Sequence, residues 1–107
     1  MKNISSIRRP YEVIRGLILV SLGYGSKTIN QIANDTNINW RTVELHLTYL
    51  VGRGLAREIF SSEYVRIFEL TENGKDAAKA AAENIISRYV IKTNREEVKF
   101  TINFEQK

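Results

Sequence analysis

The residues with the clearest chemistry fall in one short stretch, Asn39-Trp40-Arg41-Thr42-Val43-Glu44-Leu45, followed by Thr48. The planar guanidinium of an arginine such as Arg41 presents parallel donors that match the two acceptors on a guanine edge, and a carboxamide such as Asn39 can pair with adenine. Asn39 has a second use, because Asn is a strong helix N-cap and capping alone accounts for it. Trp40 can pack on sugars or a thymine methyl, or cover the edge of a core. Glu44 can accept from a cytosine amine, or pair with Arg41 three residues earlier on a helix. Leu45 and Thr48 are secondary contacts on the same side. Lys27, Arg57, Arg66 and the arm Lys2-Arg8-Arg9 supply cations suited to phosphate oxygens. His46 stands beside an apolar stripe, where a hydrogen-bonded, partly buried imidazole is expected rather than a metal ligand or a catalyst.

Most other chemistry is missing. The chain has 107 residues, no Cys and one His, which removes disulfides, thiol nucleophiles, thiolate zinc sites and paired imidazole ligands. It has no phosphate-cradling Gly motif, no nucleophile and base at a recognisable spacing, and no acidic cluster suited to a metal. The expectation is a protein that is not an enzyme and has no catalytic residue, cofactor or metal. The longest apolar run, Leu17-Ile18-Leu19-Val20, is far too short to cross a bilayer. No apolar stretch follows the basic N-terminal residues, so a cytoplasmic protein without a membrane partner is expected.

Charge narrows the choice further. Sixteen Lys and Arg against twelve Asp and Glu give +4. Up to Arg57 the balance is eight cations against three anions, and beyond it eight against nine. The excess therefore lies in the first half, where it could face a polyanion. The 43% hydrophobic and 26% charged residues are ordinary globular values, and the length suits one domain.

The elements that must position these residues follow from periodicity and punctuation. Pro10 suits the first position of a helix, and Ile14, Leu17 and Ile18 repeat at helical spacing up to Leu22, before Gly23-Tyr24-Gly25. Thr28 caps a short second helix carrying Ile29, Ile32 and Ala33 on one face, ended by Asn34-Asp35-Thr36-Asn37. Asn39 opens a third, in which Val43, Leu47, Leu50 and Val51 form the inward stripe until Gly52-Arg53-Gly54 stops it. Leu55 to Phe60 and Tyr64 to Leu70 read as a hairpin around Ser61-Ser62-Glu63. Thr71 caps a fourth helix, within which Gly74 costs a little stability. From Val98 to Phe104, apolar and polar residues alternate as in a half-buried strand.

Helix, helix, helix, hairpin is the order of a winged helix, and the residues resemble that family. Ile29-Asn30-Gln31-Ile32-Ala33, followed by Asn37-Ile38-Asn39-Trp40-Arg41-Thr42-Val43, looks like its helix-turn-helix. His46-Leu47 with Leu50 and Gly54-Leu55, then Phe68-Glu69-Leu70-Thr71-Glu72-Asn73-Gly74, look like the end of its recognition helix and the exit from its wing. The resemblance spans roughly Tyr11 to Gly74 and is closest to small archaeal and MarR- or PadR-like regulators. It implies an α+β, mainly α fold: a three-helix core and β-hairpin wing, here with an added C-terminal helix and terminal β-strand. The division is a basic arm at 1–9, a winged-helix domain at 10–74, and a helix and strand at 75–107. The implied partner is double-stranded DNA, with the recognition helix (about 39–51) in the major groove and the wing's Arg57 and Arg66 beside a groove or phosphates.

Ala78, Ala82, Ile85, Ile86 and Tyr89 form a seam along the fourth helix. This seam must partly pack on the first helix, and a homodimer through it is also expected, because operators are commonly read as two half-sites by twofold proteins. The strand from Val98 to Phe104 is expected to pair with the wing or with a partner subunit. The leading expectation is a small transcriptional regulator, a dimeric repressor specific for a DNA sequence. The rivals are a winged-helix protein-interaction module that uses Trp40 and Leu45, and an architectural protein that binds DNA without sequence preference.

Overall fold

Apolar side chains recur on several sides of the segment from Val13 to Leu22, and a helix of that kind is stable only when other elements surround it. The computed structural model, which describes residues 11–85, satisfies this requirement. Helix α1 (Tyr11–Leu22) is central, with Val13, Ile18, Leu19, Val20 and Leu22 buried. Around it lie α2 (Ile29–Thr36), α3 (Trp40–Gly52) and α4 (Glu72–Ile85). Three antiparallel strands complete the domain: β1 (Lys27–Thr28), β2 (Ala56–Ser61) and β3 (Arg66–Leu70), in the order β1-β3-β2. This is the mainly helical winged-helix architecture that the sequence implies. Ile32, Ile38, Val43, Leu47, Leu50, Ala56, Phe68 and Leu70 join α1 in one core.

Local chemistry fixes each junction. Thr28 makes a reciprocal capping box: its hydroxyl accepts from Gln31 N–H at 3.1 Å, and its own N–H donates to Gln31 Oε1 at 2.9 Å. Asn37 ends α2 with a left-handed φ of 59°, a conformation that Asn tolerates. Asn39 caps α3, its Oδ1 accepting from Arg41 N–H at 2.8 Å. Gly54, at φ +76°, carries the chain out of α3 and into the wing.

The joint between α4 and the wing is tighter than the sequence indicates. Thr71 Oγ1 accepts from Gly74 N–H at 3.0 Å and donates to Gly54 O at 2.6 Å, while Thr71 N–H donates to Leu55 O at 3.1 Å. A Cβ at Gly74 would lie 1.8 Å from Leu55 O. Gly74 is therefore required by the close approach of two backbones, and its modest cost to helix propensity is secondary.

Several boundaries and faces depart from expectation. Strand β1 was not foreseen, because two residues are too few to show a period; it pairs Lys27 with Phe68 and Thr28 with Ile67. The wing strands are Ala56–Ser61 and Arg66–Leu70, so Tyr64 and Val65 belong to the tip, where Ser62 N–H donates to Val65 O at 2.8 Å. A bulge lies between Glu58 and Phe60. Val51, expected inward on α3, is 39% exposed, because Leu50 and His46 occupy the side facing the core instead. Ala78 and Ala82, on the seam expected to pack partly on the first helix, are buried within the single chain, on the helix that packs against α1. The arm at 1–9, Pro10, Ile86, Tyr89 and the expected strand at 98–104 lie outside the described residues. No helix among the described residues is long and apolar enough to cross a membrane.

Candidate nucleic-acid interface

Successive residues of a helix are 100° apart, so the burial of Val43, His46, Leu47 and Leu50 leaves Arg41, Leu45, Thr48 and Gly52 on the opposite side of α3. All four are exposed. Leu45 is 63% exposed and Trp40, at the N-terminus of the helix, 48%. The Arg41 guanidinium lies 5.7 Å from the Trp40 ring and has no carboxylate partner among the described residues. Thr48 donates its hydroxyl proton to Glu44 O at 3.1 Å, which leaves the hydroxyl oxygen free to accept. The carboxamide oxygen of Asn39 is used by the cap, while its amide nitrogen takes no part in it.

The flank of α3 toward the wing is neutralised. Glu44 does not pair with Arg41 as the helical spacing allows; it accepts from Arg66 Nη1 at 3.1 Å. Arg66 also grips Glu58 with two donors, Nε to Oε2 at 2.7 Å and Nη2 to Oε1 at 3.3 Å. The hydrogen bond from Arg66 holds the Glu58 carboxyl below its ordinary range, against a smaller opposing effect of desolvation. Arg57 donates to Glu69 at 2.8 Å, and Lys27 is paired with Asp35 and reaches Ser21 Oγ at 3.4 Å. Lys27, Arg57 and Arg66, three of the cations expected at the interface, are thus each engaged by a carboxylate. Between the wing tip and the start of α3 lies an open depression of about 450 Å³, lined by Ile29, Trp40, Glu44, Tyr64, Val65 and Arg66 among others.

The flank toward α1 is different, and sequence reasoning missed it. Arg15 lies 3.5 Å from the centre of the Tyr49 ring and 5.3 Å from that of Tyr11, and its Nε donates to His46 Nδ1 at 3.2 Å. Arg53 also approaches this cluster, 5.9 Å from the Tyr49 ring. Burial, and then the charge of Arg15, hold the His46 pKa below its ordinary value, which fits a neutral ring accepting at Nδ1. His46 is 2% exposed and edge-on to Tyr11 at 4.9 Å, so it acts as a packed, hydrogen-bonded core residue. Arg15 and Arg53 were legible only as two members of the positive excess.

No protein-family model matches the chain, and no curated protein matches it in sequence. Solved structures do match. Sso10a-2 from Sulfolobus solfataricus, described as a DNA-binding protein, superposes with a TM-score of 0.64 at 24% identity over 86% of this chain and 94% of that one. RosR from H. salinarum gives 0.61 at 23% identity, covering 86% and 89%. A double mutant of ZitR from Lactococcus lactis in apo form gives 0.59 at 26% identity, covering 86% and 76%. Agreement at these identities establishes a shared winged-helix fold.

Proposed function

We propose that the chain binds double-stranded DNA as a small transcriptional regulator, with α3 in the major groove. The observation that carries this reading is the division of α3. One side is sealed into the core, and the other offers Arg41, Leu45 and Thr48 to solvent beside the exposed Trp40. A helix can enter a major groove only when its outward side is free in this way. Arg41 is assigned to a guanine edge, Trp40, Leu45 and Thr48 to sugars, thymine methyl groups and neighbouring base edges, and Asn39 to capping with its amide nitrogen left for a base or phosphate. Glu44, anchored by Arg66, keeps one carboxylate oxygen for a cytosine amine. The shared fold with Sso10a-2, a DNA-binding protein, supports the assignment.

A homodimer that represses by occupying its site completes the proposal. The repressor part draws support from AdcR of Streptococcus pyogenes, an adhesin competence repressor of the same fold. Because Ala78 and Ala82 are used inside the chain, the contact between subunits falls to Ile85, Ile86, Tyr89 and the residues beyond. Sedimentation at micromolar concentration should give twice the chain mass, and a monomer would remove the dimer from the proposal.

Selection from random duplex DNA tests the main reading. A regulator enriches one common motif, an architectural protein binds without enrichment, and a protein-interaction module using the exposed Trp40 and Leu45 barely binds. Enrichment that survives Arg41→Ala unchanged would reject the role given to Arg41.

A further inference from the structure

Of the described Lys and Arg side chains, Lys27, Arg57, Arg66 and Lys75 sit in ion pairs with carboxylates. Arg15, Arg41, Arg53 and, on α4, Lys79 do not pair with a carboxylate among the described residues, and the three arginines border the exposed side of α3 or its flank toward α1. The wing, by contrast, carries Arg57 and Arg66 against Glu58, Glu63 and Glu69, which leaves it net negative with both cations occupied. A phosphate approaching the wing would have to displace a carboxylate already in place. One approaching the α1 flank of α3 would meet guanidinium groups that pair with no carboxylate among the described residues.

The geometry of that flank also favours an anion. Arg15 is held in place by its bond to His46 and by the Tyr49 face, so little side-chain freedom remains to be lost on binding. Arg53 is the C-cap residue of α3 and is exposed. Both guanidinium groups lie near the Tyr49 ring, at 3.5 Å for Arg15 and 5.9 Å for Arg53, and a phenolic hydroxyl is a further donor suited to phosphate.

We propose that the edge formed by α1 and the C-terminal half of α3 holds DNA phosphates through Arg15, Tyr49 and Arg53, and that the wing does not supply the phosphate contacts. The inference rests on the DNA-binding reading above. It assigns to the α1 flank the electrostatic share of affinity that composition alone would spread over every cation.

The test is the salt dependence of affinity for one duplex, measured by fluorescence anisotropy with the full chain. The wild-type logarithmic slope should fall by about 0.9 for each phosphate contact removed. Arg53→Gln should lower it by about that amount and Arg53→Lys should restore it, while Arg57→Gln and Lys79→Gln leave it unchanged. Arg15→Gln should act like Arg53→Gln, and because Arg15 also holds His46, a thermal melt must first establish that this variant is folded. Unchanged slopes for Arg53→Gln and folded Arg15→Gln, beside a steep wild-type slope, would overturn the inference while leaving DNA binding intact. A loss confined to Arg57→Gln would overturn it in favour of the wing. A wild-type protein without measurable salt-dependent binding would sink the DNA-binding reading and this inference together.

Discussion

Two regions flank the same helix and treat charge in opposite ways. On the α1 side, Arg15 and Arg53 are positioned by aromatic rings and a neutral imidazole, and no carboxylate among the described residues pairs with them. On the wing side, Arg57 and Arg66 are each gripped by Glu, while Ile59, Phe60, Tyr64 and Val65 stand exposed, Tyr64 at 87%. Formal charge therefore differs from available charge. An arginine whose donors already face a carboxylate adds solubility and local order but little attraction for a phosphate. Among the described residues, ion pairing rather than position in the sequence decides which cations stand without a carboxylate.

The most severe way to break this comparison is to loosen the wing from the helices. Gly74→Ala places a methyl group where Leu55 O already stands. Overpacking against backbone should cost about 3 kcal/mol, read from denaturant unfolding. A loss below about 1 kcal/mol would mean that the joint can give way.

Arg41→Ala acts on the exposed side of α3 between the two regions. It should cost about 1–3 kcal/mol on the selected site and less on unrelated DNA. An equal loss on all sequences would make Arg41 a backbone contact. Thr71→Val removes both the acceptor for Gly74 N–H and the donor to Gly54 O, and should cost about 1 kcal/mol of stability with the wing sequence intact.

Acidity sharpens the contrast at smaller amplitude. His46 binds its proton less readily in the folded protein than in the unfolded chain, so its contribution is present above about pH 6.5 and is lost as pH falls below it. The fall is bounded by about 1.4 kcal/mol per pH unit for one proton, and His46→Gln should flatten it in thermal melts between pH 7.5 and 5.5. The depressed Glu58 carboxyl adds a further loss only below about pH 4.5, so the two losses begin at different pH. Smallest of all, Arg57→Gln should change stability by less than about 1 kcal/mol, as expected for an exposed ion pair.

What the sequence made legible was mostly local. Thr28, Asn39 and Thr71 are each legible as a cap from residue type and place, and each cap is present. The stripe of Val43, Leu47 and Leu50 orients α3, and with it Arg41, Leu45 and Thr48. What remained hidden depends on residues distant in sequence. Arg66 reaches Glu44 across 22 positions and Arg15 reaches His46 across 31, and neither spacing has a periodic signature. Gly74 looked like a weak point in a helix because the atom that requires it, Leu55 O, belongs to the wing. Val51 fell outward because a stripe drawn from spacing alone cannot decide which of its edges the neighbouring elements cover.

The central claim is that the exposed side of α3 and its α1 flank meet DNA while the wing stands aside. Amide chemical shifts recorded during titration with the selected duplex test it most directly. The largest changes should fall at Arg41, Leu45, Thr48, Tyr49 and Arg53, with Phe60 and Tyr64 nearly still. Changes concentrated at Phe60 and Tyr64, with Arg41 and Thr48 unmoved, would contradict it.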